Sequence, residues 1–148
     1  MSEIPGPDHD PEAEAAVLTA RSVGLRLWAC HSSPALGSAP EDIGPYLADH
    51  LRHLIGWERR GVLFAGGPYL DEDGRPGDSA LYLLRTGSEA AAIALAAEEP
   101  LHKHGLRMFT VRPWQINQGG FAVHIGISHQ TGGLDGPPTP LDHEGSTR

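Results

Sequence analysis

The sequence predicts a two-layer α+β domain whose elements run β-α-β-β-α-β, with a fifth strand appended. Three observations carry this. Short apolar or alternating runs interleave with two stretches of helical spacing in that order. "VLFAG" and "ALYLL" are apolar at nearly every position, the mark of strands covered on both faces. The ends differ from the middle: Pro5, Pro7 and Pro11 break the start, and "TGGLDGPPTPLDHEGSTR" is polar and rich in Gly and Pro. At 148 residues the chain suits one domain with a proper core. Residues 21–130 are expected to fold, with 1–20 a flexible extension holding a turn or two of helix and 131–148 a flexible tail.

Each element follows from its residues. "GLRLWAC" alternates and reads as the first strand, and "SSPALGSAPEDIGP" is a loop of turn formers. Leu47, Leu51, Leu54 and Ile55 recur at three- and four-residue spacing, an amphipathic helix with that stripe toward the core, stopped at Gly61 by a left-handed cap. "VLFAGGP" is a short strand, "YLDEDGRPG" turns, and "DSALYLLRT" is the next strand. "GSEAAAIALAAEEP" is an Ala-rich helix opened by Ser88 and closed before Pro100. "LRMFTVRPWQI" is the fourth strand and "GGFAVHIGIS" the fifth, with His124 pointing to solvent. Right-handed crossovers then give a ferredoxin-like sheet with both helices on one face. The face left over is expected to meet its copy in a twofold homodimer.

Bulk properties exclude several classes. A net charge of −8 disfavours a nucleic-acid partner, which needs a basic stripe. No run of eighteen apolar residues is present to span a membrane. The acidic, Pro-containing start does not read as a secretory signal, and the single Cys30 forms no internal disulfide, so the cytoplasm is the expected compartment.

The middle of the chain resembles the YciI-like (YCII-related) family, longer members included. The resemblance rests on His50-Leu51 within a helix, Gly61 eleven positions after His50, the strand end Gly66-Gly67-Pro68, the acidic turn from Asp71, Gly77-Asp78-Ser79 before a strand, Glu99-Pro100 at a helix end, and Arg112-Pro113-Trp114. It implies a dimeric α+β barrel, a small-molecule substrate, no cofactor, and a histidine–aspartate pair in a cleft near the dimer interface. By motif that pair is His50 and Asp71. Glu99 departs from the family's usual Asp before the Pro, and His102 and His104 from its commoner residues after it.

The residues themselves leave His50 open between a surface histidine and an acid–base group, and the resemblance favours the second. His50 lies at the edge of the Leu47–Ile55 stripe, and a carboxylate on one ring nitrogen would leave the other to take a proton. Asp71 sits where a strand ends and can turn inward; Glu72 and Asp73 suit the wet tip of a hairpin, and Asp78 is the reserve. Trp57, Gly67, Arg112 and His102 are candidate substrate contacts, Arg112 for a carboxylate. His50 and His53 with His102 and His104 do not make a metal site, since no third ligand is marked by spacing. Trp28 and Trp114 suit core or interface, and Cys30 lacks the setting of a nucleophile. The expected activity is elimination or isomerisation of a small organic molecule by the His50–Asp71 pair. The alternatives are a non-catalytic ligand-binding module of the same fold and a cofactor-free oxygenase.

Overall fold

The computed structural model describes residues 10–126 and 131–135, with side chains as far as Phe121. Residues 1–9 and 136–148, read as flexible, the end of the fifth strand from Ile127, and the orientation of the His124 side chain all lie outside the described part.

Two compact units divide the chain, and Gly24–Ile116 forms the larger. Its strands are β1 (Leu25–Pro34), β2 (Leu63–Leu70), β3 (Pro76–Leu84) and β4 (Arg107–Ile116). They make one sheet in the order β2-β3-β1-β4, antiparallel throughout. With α2 (Leu47–Arg59) between β1 and β2, and α3 (Glu89–Glu98) with α4 (Pro100–Lys103) between β3 and β4, this is the ferredoxin-like arrangement. A 3-10 turn over Pro40–Tyr46 leads into α2, because Pro45 cannot donate a backbone hydrogen bond. Gly61, at φ +70°, closes α2: its N–H reaches Glu58 O at 2.9 Å and that of Val62 reaches Trp57 O at 2.9 Å. Ser88 caps α3 through Ala91 N–H.

The two sheet faces carry separate clusters. Cys30, Trp57, Ala80, Tyr82, Leu84, Ala92 and Ala96 form the core between sheet and helices. Leu27, Ala29 and Leu83 form the other, with Leu25, Phe64, Leu81 and Ile116 against them and no helix residue among them. So β3 is apolar on both sides, as its unbroken run predicted, and β1, expected to alternate, is apolar on both sides as well.

The expected core stripe of α2 is corrected. Leu47, Leu51 and Ile55 remain nearly half exposed, while His50 and Trp57 are the buried residues of the helix. Trp57 offers more area to bury than any leucine, and His50 finds a partner only on the inner side. Turning the helix to serve both swings Leu47, Leu51 and Ile55 outward, while Leu54 stays against the core.

The second unit is drawn from Met1–Val23 and Asn117–Arg148. In it α1 (Pro11–Ala20) is a full ten-residue helix, started by Asp10, whose carboxylate accepts Glu12 and Ala13 N–H, with Pro11 at its first turn. β5 (Ala122–Gly126), the fifth strand, pairs antiparallel with β6 (Thr131–Asp135) as a two-stranded sheet. Thr131–Asp135 had been expected in the tail. A lone strand leaves a row of backbone groups unpaired, and the next residues of the chain satisfy them.

Candidate active site

The break between α3 and α4 builds the site. Glu99 leaves helical geometry (φ −59°, ψ 128°), Pro100 takes the first position of α4, and the Glu99 carboxylate caps that turn. Oε1 accepts Leu101 N–H at 3.1 Å and Oε2 accepts His102 N–H at 3.2 Å. The same carboxylate is wholly buried, and His50 of α2 donates from Nδ1 to Oε1 at 2.6 Å. Burial pushes the Glu99 carboxyl up, but the bonds from His50 and Leu101 and the nearby histidines outweigh it and hold it below the usual range. Glu99 is therefore an ionised acceptor for a proton on His50 Nδ1, and Nε2 is the ring nitrogen that Glu99 does not engage.

A second histidine continues the network. His102 donates from Nδ1 to Ala96 O at 2.7 Å, and its Nε2 lies 2.8 Å from Ser32 Oγ. Burial lowers its pKa, against the Ala96 bond and the Glu99 charge that raise it. The ring is neutral, so Nε2 accepts the Ser32 hydroxyl proton. Ser32 Oγ in turn accepts from Arg107 Nε at 2.8 Å. Around these groups lie Tyr82, whose ring centre is 6.4 Å from that of His50, and Phe109, 4.7 Å from His102. Burial and the Glu99 charge push Tyr82 and Cys30 each up to about 12, so both stay protonated.

The sequence-predicted residues separate. His50 and His102 come together on Glu99. Asp71 does not join them: its Oδ1 accepts Asp73 and Arg75 N–H at 3.0 and 2.9 Å, closing its own exposed turn. The partner expected from the hairpin is thus supplied by the helix break. An acid before Gly74 and Pro76 has its own backbone amides nearer than any side chain. Trp57, a candidate contact, is a core side chain, fully enclosed. His102 is buried inside the network rather than at a rim. Gly67 lines a shallow depression on the sheet face away from the helices, with Ala65, Tyr69 and Leu81. Exposed Arg112 sits on that same face, opposite Ala29. Gly66 lines the depression too, but a Cβ there would point to the core and meet Tyr82 Cδ1 at 2.9 Å. Sequence reasoning did not assign roles to Glu99, Ser32 and Arg107. The one available signal was Glu99-Pro100, an acid placed at a helix break with His102 three residues on.

Among the described residues no cluster of three or more His, Cys, Asp or Glu is placed to hold a metal ion. No helix there is long and apolar enough to cross a membrane.

Fold and site define a class: a ferredoxin-like domain with a buried histidine–carboxylate pair between its helices and sheet. Within that class the chain belongs to the YCII-related family, whose domain model matches residues 27–115. Comparison with curated proteins gave no match. Among solved structures, the chain is similar to 5-chloro-2-hydroxyhydroquinone dehydrochlorinase from Burkholderia phenoliruptrix AC1100, in complex with 2,5-dihydroxybenzoquinone. The TM-score is 0.48 at 17% identity, over 59% of this chain and 92% of that one.

Proposed function

We propose that this chain is a cofactor-independent acid–base enzyme of lyase or isomerase type, acting on a small organic molecule in the cytoplasm. His50 takes the proton. Glu99 has the orienting role that the resemblance gave to Asp71. The observation that carries this is the 2.6 Å bond from His50 Nδ1 to the buried Glu99 carboxylate. A carboxylate in that position fixes the tautomer, directs Nε2 as the base and stabilises the imidazolium once the proton arrives. For elimination, the C–H bond beside a carbonyl gives its proton to Nε2, its electron pair becomes the new double bond, and the leaving group departs with its own pair. For isomerisation, the same proton returns to a different carbon.

The working form is a homodimer joined through the sheet face away from the helices. In support, that face carries the Leu27–Ala29–Leu83 cluster, and Tyr69, Met108 and Trp114 stand about half exposed.

One observation favours a second reading. His50 is only 9% exposed, so the pair would serve equally as a pin between α2 and the α3–α4 break in a non-catalytic binding module. Turnover and melting separate the two. His50→Gln tested against lactones, enols and halogenated hydroquinones should lose turnover while keeping its melting temperature near wild type. A variant that still turns over at the wild-type rate removes the acid–base reading.

A further inference from the structure

We infer that the cleft walled by Arg107 binds the anionic group of a small organic monoacid, with Arg107 as its anchor. The cleft, of about 460 Å³, is lined by Pro34, Pro40, Ile43 and Pro76, with Ser38 and Asp78 beside Arg107. A volume of roughly 150 Å³ already houses one benzene ring, so a ring with substituents and a few waters fits.

The guanidinium of Arg107 is held in place. Nε donates to Ser32 Oγ at 2.8 Å, and one terminal nitrogen, Nη2, donates to Ser32 O at 3.1 Å and Asp78 O at 2.6 Å. Among the described residues no bond is found to the other terminal nitrogen, which leaves its two N–H groups for a ligand. Among the described residues no carboxylate forms an ion pair with this cation. A permanent cation, fixed by three bonds to neutral oxygens and ion-paired with no carboxylate among the described residues, in a largely apolar cleft, is matched by an incoming carboxylate or enolate. Its geometry is set before the ligand arrives, which lowers the ordering cost of binding. Asp78 on the same wall repels a second negative charge, so a monoanion is preferred to a dianion. Ser32 and His102 link Arg107 to the Glu99–His50 pair. The cleft lining reaches the network through Arg107 and not through His50 or Glu99 themselves; taking the bound monoacid as the substrate of the proposed enzyme is the one step that rests on the acid–base reading.

Titration of the full chain with benzoate, cyclohexanecarboxylate and short aliphatic monoacids, followed by calorimetry and by the Ile43 methyl resonance, tests this. At least one monoacid should bind saturably and move the Ile43 methyl. Its neutral amide should bind tenfold or more weakly, as should a diacid such as phthalate. Arg107→Gln should weaken the acid tenfold or more, and Arg107→Lys should recover only part. Equal affinity for acid and amide, an unmoved Ile43 methyl, no saturable monoacid, or undiminished binding by Arg107→Gln each overturns the inference. Should Arg107→Gln fail to fold, the acid–amide comparison on the unaltered protein decides. His50→Gln should bind the monoacid as the unaltered chain does. Loss of turnover there concerns the acid–base reading, and loss of monoacid selectivity in the unaltered protein concerns the cleft.

Discussion

His50 of α2 and Glu99 of the α3–α4 break, 49 positions apart in the chain, share a 2.6 Å hydrogen bond in the core. The carboxylate has no exposure to water, and both its oxygens are in use. One group therefore ends a helix, begins the next and fixes an imidazole.

Glu99 should be costly to remove for structural reasons and for catalytic ones. Glu99→Ala leaves His50 Nδ1 and the amides of Leu101 and His102 without their acceptor. A loss of about 3–5 kcal/mol is expected, read as a lower urea midpoint at unchanged slope. Glu99→Gln keeps the shape but not the charge. If His50 is the base, turnover should fall by roughly 10² or more, with a far smaller stability loss than that of Glu99→Ala.

Stability should fall as pH drops below about 6.5, the ordinary value for histidine. Burial holds His102 below that value, and burial does the same to His53. Between the two values the unfolded chain binds the proton and the folded chain does not, so stability rises with pH across that window. Glu99 adds a loss at lower pH. Its folded pKa is depressed, so its contribution is full above the usual Glu range and lost as pH falls through the folded value. Urea midpoints from pH 8 to 5 should decline, and His102→Gln should flatten the first part of the decline.

The rotation of α2 makes a prediction against hydropathy. Leu51→Gln, on the stripe that points outward, should cost no more than about 0.5 kcal/mol. Trp57→Ala should cost about 3–5 kcal/mol. Equal costs in thermal or urea unfolding would contradict the burial of Trp57 in place of Leu51.

Cys30 should be inert in the native protein. It is fully enclosed and pushed up to about 12 by burial and by the Glu99 charge. A thiol reagent at pH 8 should react only as fast as the chain unfolds, and at once in denaturant.

The proposed dimer has a direct test. Sedimentation should give twice 15.8 kDa, and Trp114→Asp or Met108→Asp should shift the equilibrium tenfold or more toward the single chain. An unchanged mass in both variants would place any association elsewhere.

The sequence by itself determined the order of the four strands and two main helices of the larger unit and, closely, where they stop. The unbroken apolar runs of β2 and β3, the Ser88 cap, Gly61 and Pro100 act over a few residues, so their effects are written locally. It determined the family as well, and marked His50. It did not determine which acid meets that histidine. Asp71 and Glu99 are both acids at element ends, and only the fold tells them apart: Asp71 has its own turn's amides within reach, while the α3–α4 break carries Glu99 into the core. Nor did periodicity determine which face of α2 turns inward, because Trp57 and the His50–Glu99 bond together outweigh Leu47, Leu51 and Ile55. Tertiary structure also made the Arg107 cleft, joining Pro34, Ile43, Pro76 and Arg107 from four separate stretches of chain. Long-range pairing is decided by which groups are left to satisfy one another after the chain packs, and spacing along the sequence carries no record of that.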